Sequence, residues 1–384
     1  MSVVFERPSL WRRLQPIFSG FDLLLLAGLL VLGTMGLVTM YSAGYDNGSR
    51  FADHGRNMLL GLGILFLVAQ VPPQRLAQLA VPLYSLGVAL LVATALFGIT
   101  KKGATRWLNV GVVIQPSELM KIAMPLMLAW WFQKREGQLR ALDFVAAALL
   151  LMVPVGLVVK QPDLGTAILI LSGGLYVIYF AGLSWKLILP VLLAAAVAVT
   201  AIVLSADRIC QDDVTWPLLR EYQKHRVCTL LDPTTDPLGK GFHIIQGMIA
   251  IGSGGVTGKG FMQGTQTHLE FIPERTTDFV FAAFAEEFGL MGALALITAF
   301  TFVLARGLLI ANSAPTVFSR LLAGALTMSF FTYAMVNMGM VSGILPVVGI
   351  PLPFISYGGT AMVTLGFALG MLMSIAKSRR LIQT

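Results

Sequence analysis

Phe271-Ile272-Pro273-Glu274-Arg275-Thr276-Thr277-Asp278-Phe279-Val280-Phe281 is the stretch that decides how this chain is read. A polar, charged segment ends at Asp278, and a long apolar run begins at the next residue. That run continues for about 25 residues, enough to cross a bilayer as a helix. A carboxylate at a helix N-terminus is commonly a cap. Here it also stands at the boundary of water and lipid, where one group can reach both a lipid-held phosphate and an aqueous sugar. Asp278 is therefore a candidate general base acting on a lipid-linked substrate.

The rest of the chain agrees with a membrane setting. Of 384 residues, 56% are hydrophobic and only 12% are charged, against about 25% charged in soluble domains. The composition specifies an all-α polytopic membrane protein. A net charge of +8 would suggest nucleic acid in a soluble protein. In a membrane protein it reflects Lys and Arg kept at cytoplasmic helix ends, and no nucleic-acid partner is expected. The first ~20 residues are polar and basic, and the first apolar run is long enough to stay in the bilayer, so no cleavable signal peptide is expected.

Apolar runs of spanning length predict ten transmembrane helices, near 21–42, 57–71, 76–99, 118–133, 142–159, 165–183, 186–205, 279–306, 317–341 and 355–376. With residues 1–20 inside, the cytoplasmic segments collect Arg12, Arg13, Arg75, Lys134, Arg135, Arg140, Lys186, Arg306, Arg320, Lys377, Arg379 and Arg380. Few acids accompany them, as the positive-inside tendency expects. Residues 377–384 then form a cytoplasmic tail. Residues 206–278, between the seventh and eighth spans, form a large loop on the outer, periplasmic side. A loop of that length is commonly functional. Within it, His243 to Ile251 reads as a short interfacial helix ended by Gly252-Ser253-Gly254-Gly255. Cys210 and Cys228 are the two cysteines of the chain. In an oxidising compartment they are disulfide candidates, a bridge worth ~3 kcal/mol on chain entropy.

Several polar constellations interrupt the apolar pattern. Gly252 to Gly260 resembles a P-loop but has Ser253 in place of the first glycine and Gly260 in place of the magnesium-binding Ser or Thr. It reads as a flexible turn. Arg106 precedes Gln115-Pro116-Ser117-Glu118-Leu119-Met120-Lys121, where Pro116 suits a helix start and Glu118 and Lys121 share a helix face. The pair is either a structural ion pair or part of a cationic lining for an anionic headgroup, with Arg106 as a second cation. Lys160-Gln161-Pro162-Asp163-Leu164-Gly165 forms a turn in which Asp163 caps the next helix or joins Arg106, Lys121 and Asp278 at one membrane level. Glu286 and Glu287 lie two turns into the eighth span and read as structural. Leu345 to Gly359 carries prolines and glycines that exclude a regular helix. Irregular backbone at membrane depth must be buried or line a wet cavity, so this segment, with Ser356, Tyr357, Gly358 and Gly359, reads as a wall of the site.

Together these pieces resemble the SEDS family of cell-wall polymerases, over about residues 20–380. The resemblance rests on Arg106 to Lys121, Lys160 to Ala167, Ile251 to Gly260, Phe271 to Glu287 and Leu345 to Ala361. The stretches around Asp236, from Gly264 and from Leu345 are more similar to the elongation branch than to the division branch. The resemblance implies a peptidoglycan glycosyltransferase that polymerises lipid II on the outer face of the bacterial inner membrane. It places the family's essential acid on Asp278, within the pattern Pro-Glu-x-x-Thr-Asp-Phe that also contains Glu274. Many members have His where this chain has Thr276, which argues against a mechanism needing that second titrating group. Arg106, Glu118, Lys121, Lys160, Asp163, Glu274, Ser356, Tyr357, Gly358 and Gly359 are the implied substrate-binding residues. A divalent cation, Mg or Mn, held by Asp278 or Asp163, is an open expectation. Implied partners are a single-span class B penicillin-binding protein, other elongation-complex proteins and membrane lipid. Two other functions stay open at this point: a lipid II flippase, and a non-catalytic scaffold for a transpeptidase.

Overall fold

The computed structural model describes residues 20–46, 48–101, 104–109, 111, 113–211, 214, 216, 221–235, 239–272 and 274–382. The N-terminal segment with Arg12 and Arg13, and Asp236 and Pro273, lie outside the described residues. Ten long helices follow the ten apolar runs: α1 (Leu23–Ala43), α2 (Gly48–Val68), α3 (Pro73–Phe97), α4 (Pro116–Gln133), α5 (Ala141–Lys160), α6 (Leu164–Phe180) and α7 (Trp185–Leu204). After four short α-helices and one 3-10 turn (Pro233–Thr235) come α12 (Val280–Asn312), α13 (Val317–Val341) and α14 (Gly359–Ile382). The short α-helices are α8 (Ala206–Ile209), α9 (Glu221–Leu231), α10 (Lys240–Ser253) and α11 (Thr265–His268). The chain is a multi-pass, mostly helical membrane protein.

Seven of the long helices are long and apolar enough to cross a membrane by length and composition. The other three are α2, which opens with Arg50, Asp53, His54, Arg56 and Asn57; α4, which carries Glu118 and Lys121; and the 17-residue α6. α4 and α6 are largely buried in the bundle, whereas α2 still exposes Leu59, Leu60 and Leu67.

α13 is the centre of the bundle, packed against α4, α6, α12 and α14. α14 lies along α2, and α12 along α1. α7 is different: it buries none of its residues against the rest of the chain. It is apolar all round, which in a membrane suits lipid contact on every side.

Helix alternation puts the connections 44–47, 98–115, 161–163, 205–279 and 342–358 at one end of the bundle, called here the loop end. One of them contains a small sheet not anticipated by an all-helical reading: β1 (Ile99–Lys101), β2 (Ala104–Asn109) and β3 (Val113–Ile114), antiparallel in that order. Its β-branched and aromatic residues suit strands, and it delivers Arg106 on β2 and Gln115 just after β3. Cys210 and Cys228 are joined in a disulfide, with Cα atoms 5.6 Å apart. The opposite end is latched by Asp22, which caps α1 through Leu25 N–H and accepts two hydrogen bonds from Arg306, at 2.9 and 2.6 Å.

The eighth span is not one helix. At Gly289 the backbone takes φ 62°, ψ −161° and α12 breaks. In an unbroken helix, Leu290 and Met291 would donate to Glu286 and Glu287. Instead Leu290 N donates to Gly255 O and Met291 N to Val256 O, at 2.9 and 3.0 Å. The vacated carbonyls of Glu286 and Glu287 accept from Lys259 N and Gly260 N, both at 3.0 Å. The Gly-rich segment is therefore spliced into the helix break. That corrects its reading as a flexible turn: every backbone group freed by the break needed a partner.

Candidate active site

Asp278 lies just before α12, partly exposed, on a short loop that is held at its backbone. Three successive carbonyls are captured. Thr276 O accepts from Tyr357 N at 2.8 Å, Thr277 O from Ser356 Oγ at 2.6 Å, and Asp278 O from Asn337 Nδ2 at 2.9 Å. Two of these donors belong to the irregular 342–358 segment, and the third to α13. The side chain of Asp278 faces the same segment: a Cβ built on Gly349, which has φ 74°, would sit 3.3 Å from Asp278 Oδ2. Glu274 stays exposed and accepts from Thr277 Oγ1 at 2.7 Å, closing the turn.

The wall itself is wedged among four helices. Leu352 N donates to Ser356 Oγ at 2.8 Å, and Phe354 holds φ 65°, a left-handed conformation rare for a bulky side chain. His54 of α2, fully buried, has Nε2 3.2 Å from Phe354 O. Gly36 of α1 meets the same carbonyl, and a Cβ there would fall 2.0 Å from it. Gly36→Ala is thus expected to displace the wall and lower thermal stability by about 2–4 kcal/mol. Gly63→Ala on α2, with nothing within 4 Å of the new Cβ, should be silent in the same melting experiment.

Consecutive wall residues bring the other candidates to this place. Val348 O lies 2.7 Å from a Cβ built on Gly165, so the start of α6 abuts the wall one residue from Gly349. Asp163 caps α6 through Thr166 N–H at 3.2 Å, accepts from Gln115 Nε2 at 2.9 Å, and stands 3.8 Å from Arg106 Nη1. Arg106 also donates to Pro162 O at 2.7 Å. Asp163 is thus a helix cap that also faces Arg106. Glu118 and Lys121 pair at 2.6 Å, with the Lys121 side chain 8% exposed. Thr364 of α14 donates to the second Glu118 oxygen at 2.9 Å, and Lys121 Nζ lies 5.4 Å from the centre of the Tyr333 ring. Gly359 begins α14 beside Asn57, and Gly358 O accepts from Met362 N. Lys160 remains exposed at the end of α5 and is not drawn into this network.

Four contributors were not anticipated from the sequence. Arg50 of α2 donates to Thr276 Oγ1 at 2.7 Å, putting a cation two residues from Asp278. Arg275, buried, donates to Ala43 O at 3.0 Å and pairs with Asp46 at 2.9 Å, fastening the acid loop to the α1–α2 connection. His54 and Asn337 are the other two. For Asn337 the signal available was a polar side chain inside an apolar run, costly unless it has a partner; Arg50, His54 and Arg275 lie in polar stretches and carried no such signal.

Glu286 and Glu287 lie in the first piece of α12, where each is held by hydrogen bonds to other segments. Glu286 is fully buried. It accepts from Lys259 Nζ at 2.6 Å and from the Gln266 and Thr267 amides at 2.8 and 3.2 Å, at the start of α11. Glu287 accepts a hydrogen bond from Ser42 of α1. The two glutamates tie the 254–269 segment and α1 to the first piece of α12.

Among the described residues, no three or more His, Cys, Asp or Glu side chains gather where they could hold a metal. The Asp163 carboxylate is taken by Gln115, Arg106 and its cap. This donor set does not fit a protein-built divalent cage, and no metal-assisted step is assigned to it.

The acid loop is thus fixed at the loop end of a helical membrane bundle, with Arg50 bonded to Thr276 and Arg275 buried beside it. Residues 15–381 match the family described as cell cycle protein, FtsW/RodA/SpoVE, and the chain belongs to that family. It is 46% identical over 362 residues to the peptidoglycan glycosyltransferase MrdB of Escherichia coli K12, covering 94% of each chain. It is 30% identical to the peptidoglycan glycosyltransferase RodA of Treponema pallidum, covering 93% of this chain and 98% of that one. Among solved structures, a chain from a study of how a peptidoglycan synthase complex coordinates polymerization and crosslinking superposes with TM-score 0.77 at 33% identity, covering 94% and 99%. The crystal structure of the rod shape determining protein RodA of Thermus thermophilus gives TM-score 0.69 at 27% identity, covering 94% and 98%.

Proposed function

We propose that this chain is a peptidoglycan glycosyltransferase of the elongation type, polymerising lipid II into β-1,4 glycan at the periplasmic face of the bacterial inner membrane. The observation that carries the reading is the backbone clamp that presents Asp278 to the wall at the junction with Arg106 and Asp163. The Asp278 carboxylate takes the proton of the acceptor sugar's 4-hydroxyl. That oxygen attacks C1 of the donor sugar, and the C1–O bond to undecaprenyl pyrophosphate breaks, the pyrophosphate leaving with the electron pair. Attack opposite the α-linked leaving group gives the β linkage. A positioned base contributes about 10²–10⁴-fold, and fixed cations facing the developing pyrophosphate charge add to it. Arg106 and Lys121 fill that role, with Arg50 as a third cation. Lys121 is paired with Glu118 at 2.6 Å whereas Arg106 stands 3.8 Å from Asp163, so of these two Arg106 is the freer to meet substrate.

The disulfide in the 206–278 loop supports an oxidising compartment on the loop-end side, in agreement with the basic residues at the opposite end. A single-span class B penicillin-binding protein is the proposed partner, supported by the likeness to a chain of a peptidoglycan synthase complex. Purified protein incubated with lipid II, with and without the partner and divalent metal, should form glycan polymer. A preparation that moves lipid II across vesicles without polymerising it would favour a flippase instead.

A further inference from the structure

We infer that Asn337, in the last turns of α13, is a positioning residue that sets the placement of the Asp278 carboxylate against the wall, an inference that rests on the reading of Asp278 as base. Asn337 is fully buried. Its Nδ2 donates to Asp278 O at 2.9 Å and to Ile350 O at 2.8 Å. One amide group thereby spends both its hydrogens on two segments far apart in sequence. One is the residue that bears the acid; the other follows Gly349, the residue the carboxylate faces. Asn337 thereby ties the backbone of residue 278 directly to the wall residue next to Gly349.

The orientation of that amide is determined, because two carbonyls require the NH₂ end. Asn337 Oδ1 is buried without a hydrogen-bond partner among the described residues. A carboxylate at 337 would present only acceptors to two carbonyl oxygens and could not replace it. One turn earlier on α13, Tyr333 lies against Lys121. The same helix thus spaces the buried cation and the acid, so a shift at residue 337 reaches the chemistry without touching substrate. Ser356 and Tyr357 hold the neighbouring carbonyls from the wall side, but neither reaches residue 278 itself. Asn337 thus joins residue 278 to α13 and to the wall through one side chain.

The test is steady-state polymerisation of lipid II by purified, monodisperse full-length protein, with rates expressed per folded molecule. Misplacing a catalytic group by about 1 Å costs about 10²-fold. Asn337→Ala is expected to lower kcat by that order with KM for lipid II within about threefold. Asn337→Asp, of the same shape but without the donors, should lose at least as much. A role in packing alone predicts the reverse order, or a normal kcat for whatever protein folds. If Asn337→Ala cannot be recovered folded, Asn337→Asp decides by itself. Wild-type kcat in either variant, or a raised KM with unchanged kcat, overturns the inference. Asp278→Asn in the same assay separates the two claims. An active Asp278→Asn sinks the base assignment, whereas an inactive one beside normal Asn337 variants sinks only the positioning role.

Discussion

Asp278→Asn is expected to abolish glycan polymerisation, by about 10²–10⁴-fold, while leaving the protein folded and inserted. The expectation of an intact fold comes from where the loop is held. The bonds that clamp it end on the carbonyls of Thr276, Thr277 and Asp278, which the substitution leaves in place. Its neighbours are held independently: Arg275 by Ala43 O and Asp46, and Thr276 by Arg50. The variant replaces one carboxylate oxygen by an amide nitrogen in a partly exposed position. It therefore removes proton acceptance with little change in volume. Melting temperature and gel-filtration profile should match the parent, and only turnover should fall. A variant that fails to fold would show that the carboxylate itself is part of the clamp.

The second large effect is structural. Gly289→Ala should collapse the loop end of the molecule, at roughly 3–5 kcal/mol. The backbone at φ 62°, ψ −161° belongs to a region open essentially to glycine alone. The added Cβ would also meet backbone of the inserted segment, 2.3 Å from Gly258 N and 2.7 Å from Val256 O. Backbone cannot swing away as a side-chain tip can, because the 255–260 segment fills the hydrogen bonds of the broken helix. Gly252→Ala, in α10 with nothing within 4 Å of its Cβ, is the matched control and should melt like the parent. Equal melting of the two variants would mean that the break at 289 carries no stability.

The sequence made the spans legible because a bilayer demands long apolar runs, and runs survive without knowledge of packing. Asp278 was legible for a related reason: a charge at the edge of such a run stands out. Asp163, Glu118 and Lys121 were found in the same way, and the wall was found because Pro and Gly rule out a helix there. The break at Gly289 was hidden, since one glycine inside an apolar run looks ordinary and its partners lie about 30 residues away. The isolation of α7 was hidden too, because lipid-facing and protein-facing apolar residues have the same composition. Asn337 was visible as a polar residue in a span, whereas Arg50 lay in a polar stretch before one. Their partners, Thr276 and Ile350, are set by tertiary packing that no local pattern encodes. The sheet at 99–114 has strands of three, six and two residues, too short for alternation to register.

The most direct measurement is gel analysis of glycan chains formed from purified lipid II by the parent protein and by Asp278→Asn, prepared and reconstituted side by side. A ladder of polymer from the parent and none from the variant is the predicted result; polymer of similar amount and length from both would contradict the assignment of Asp278 as the catalytic base.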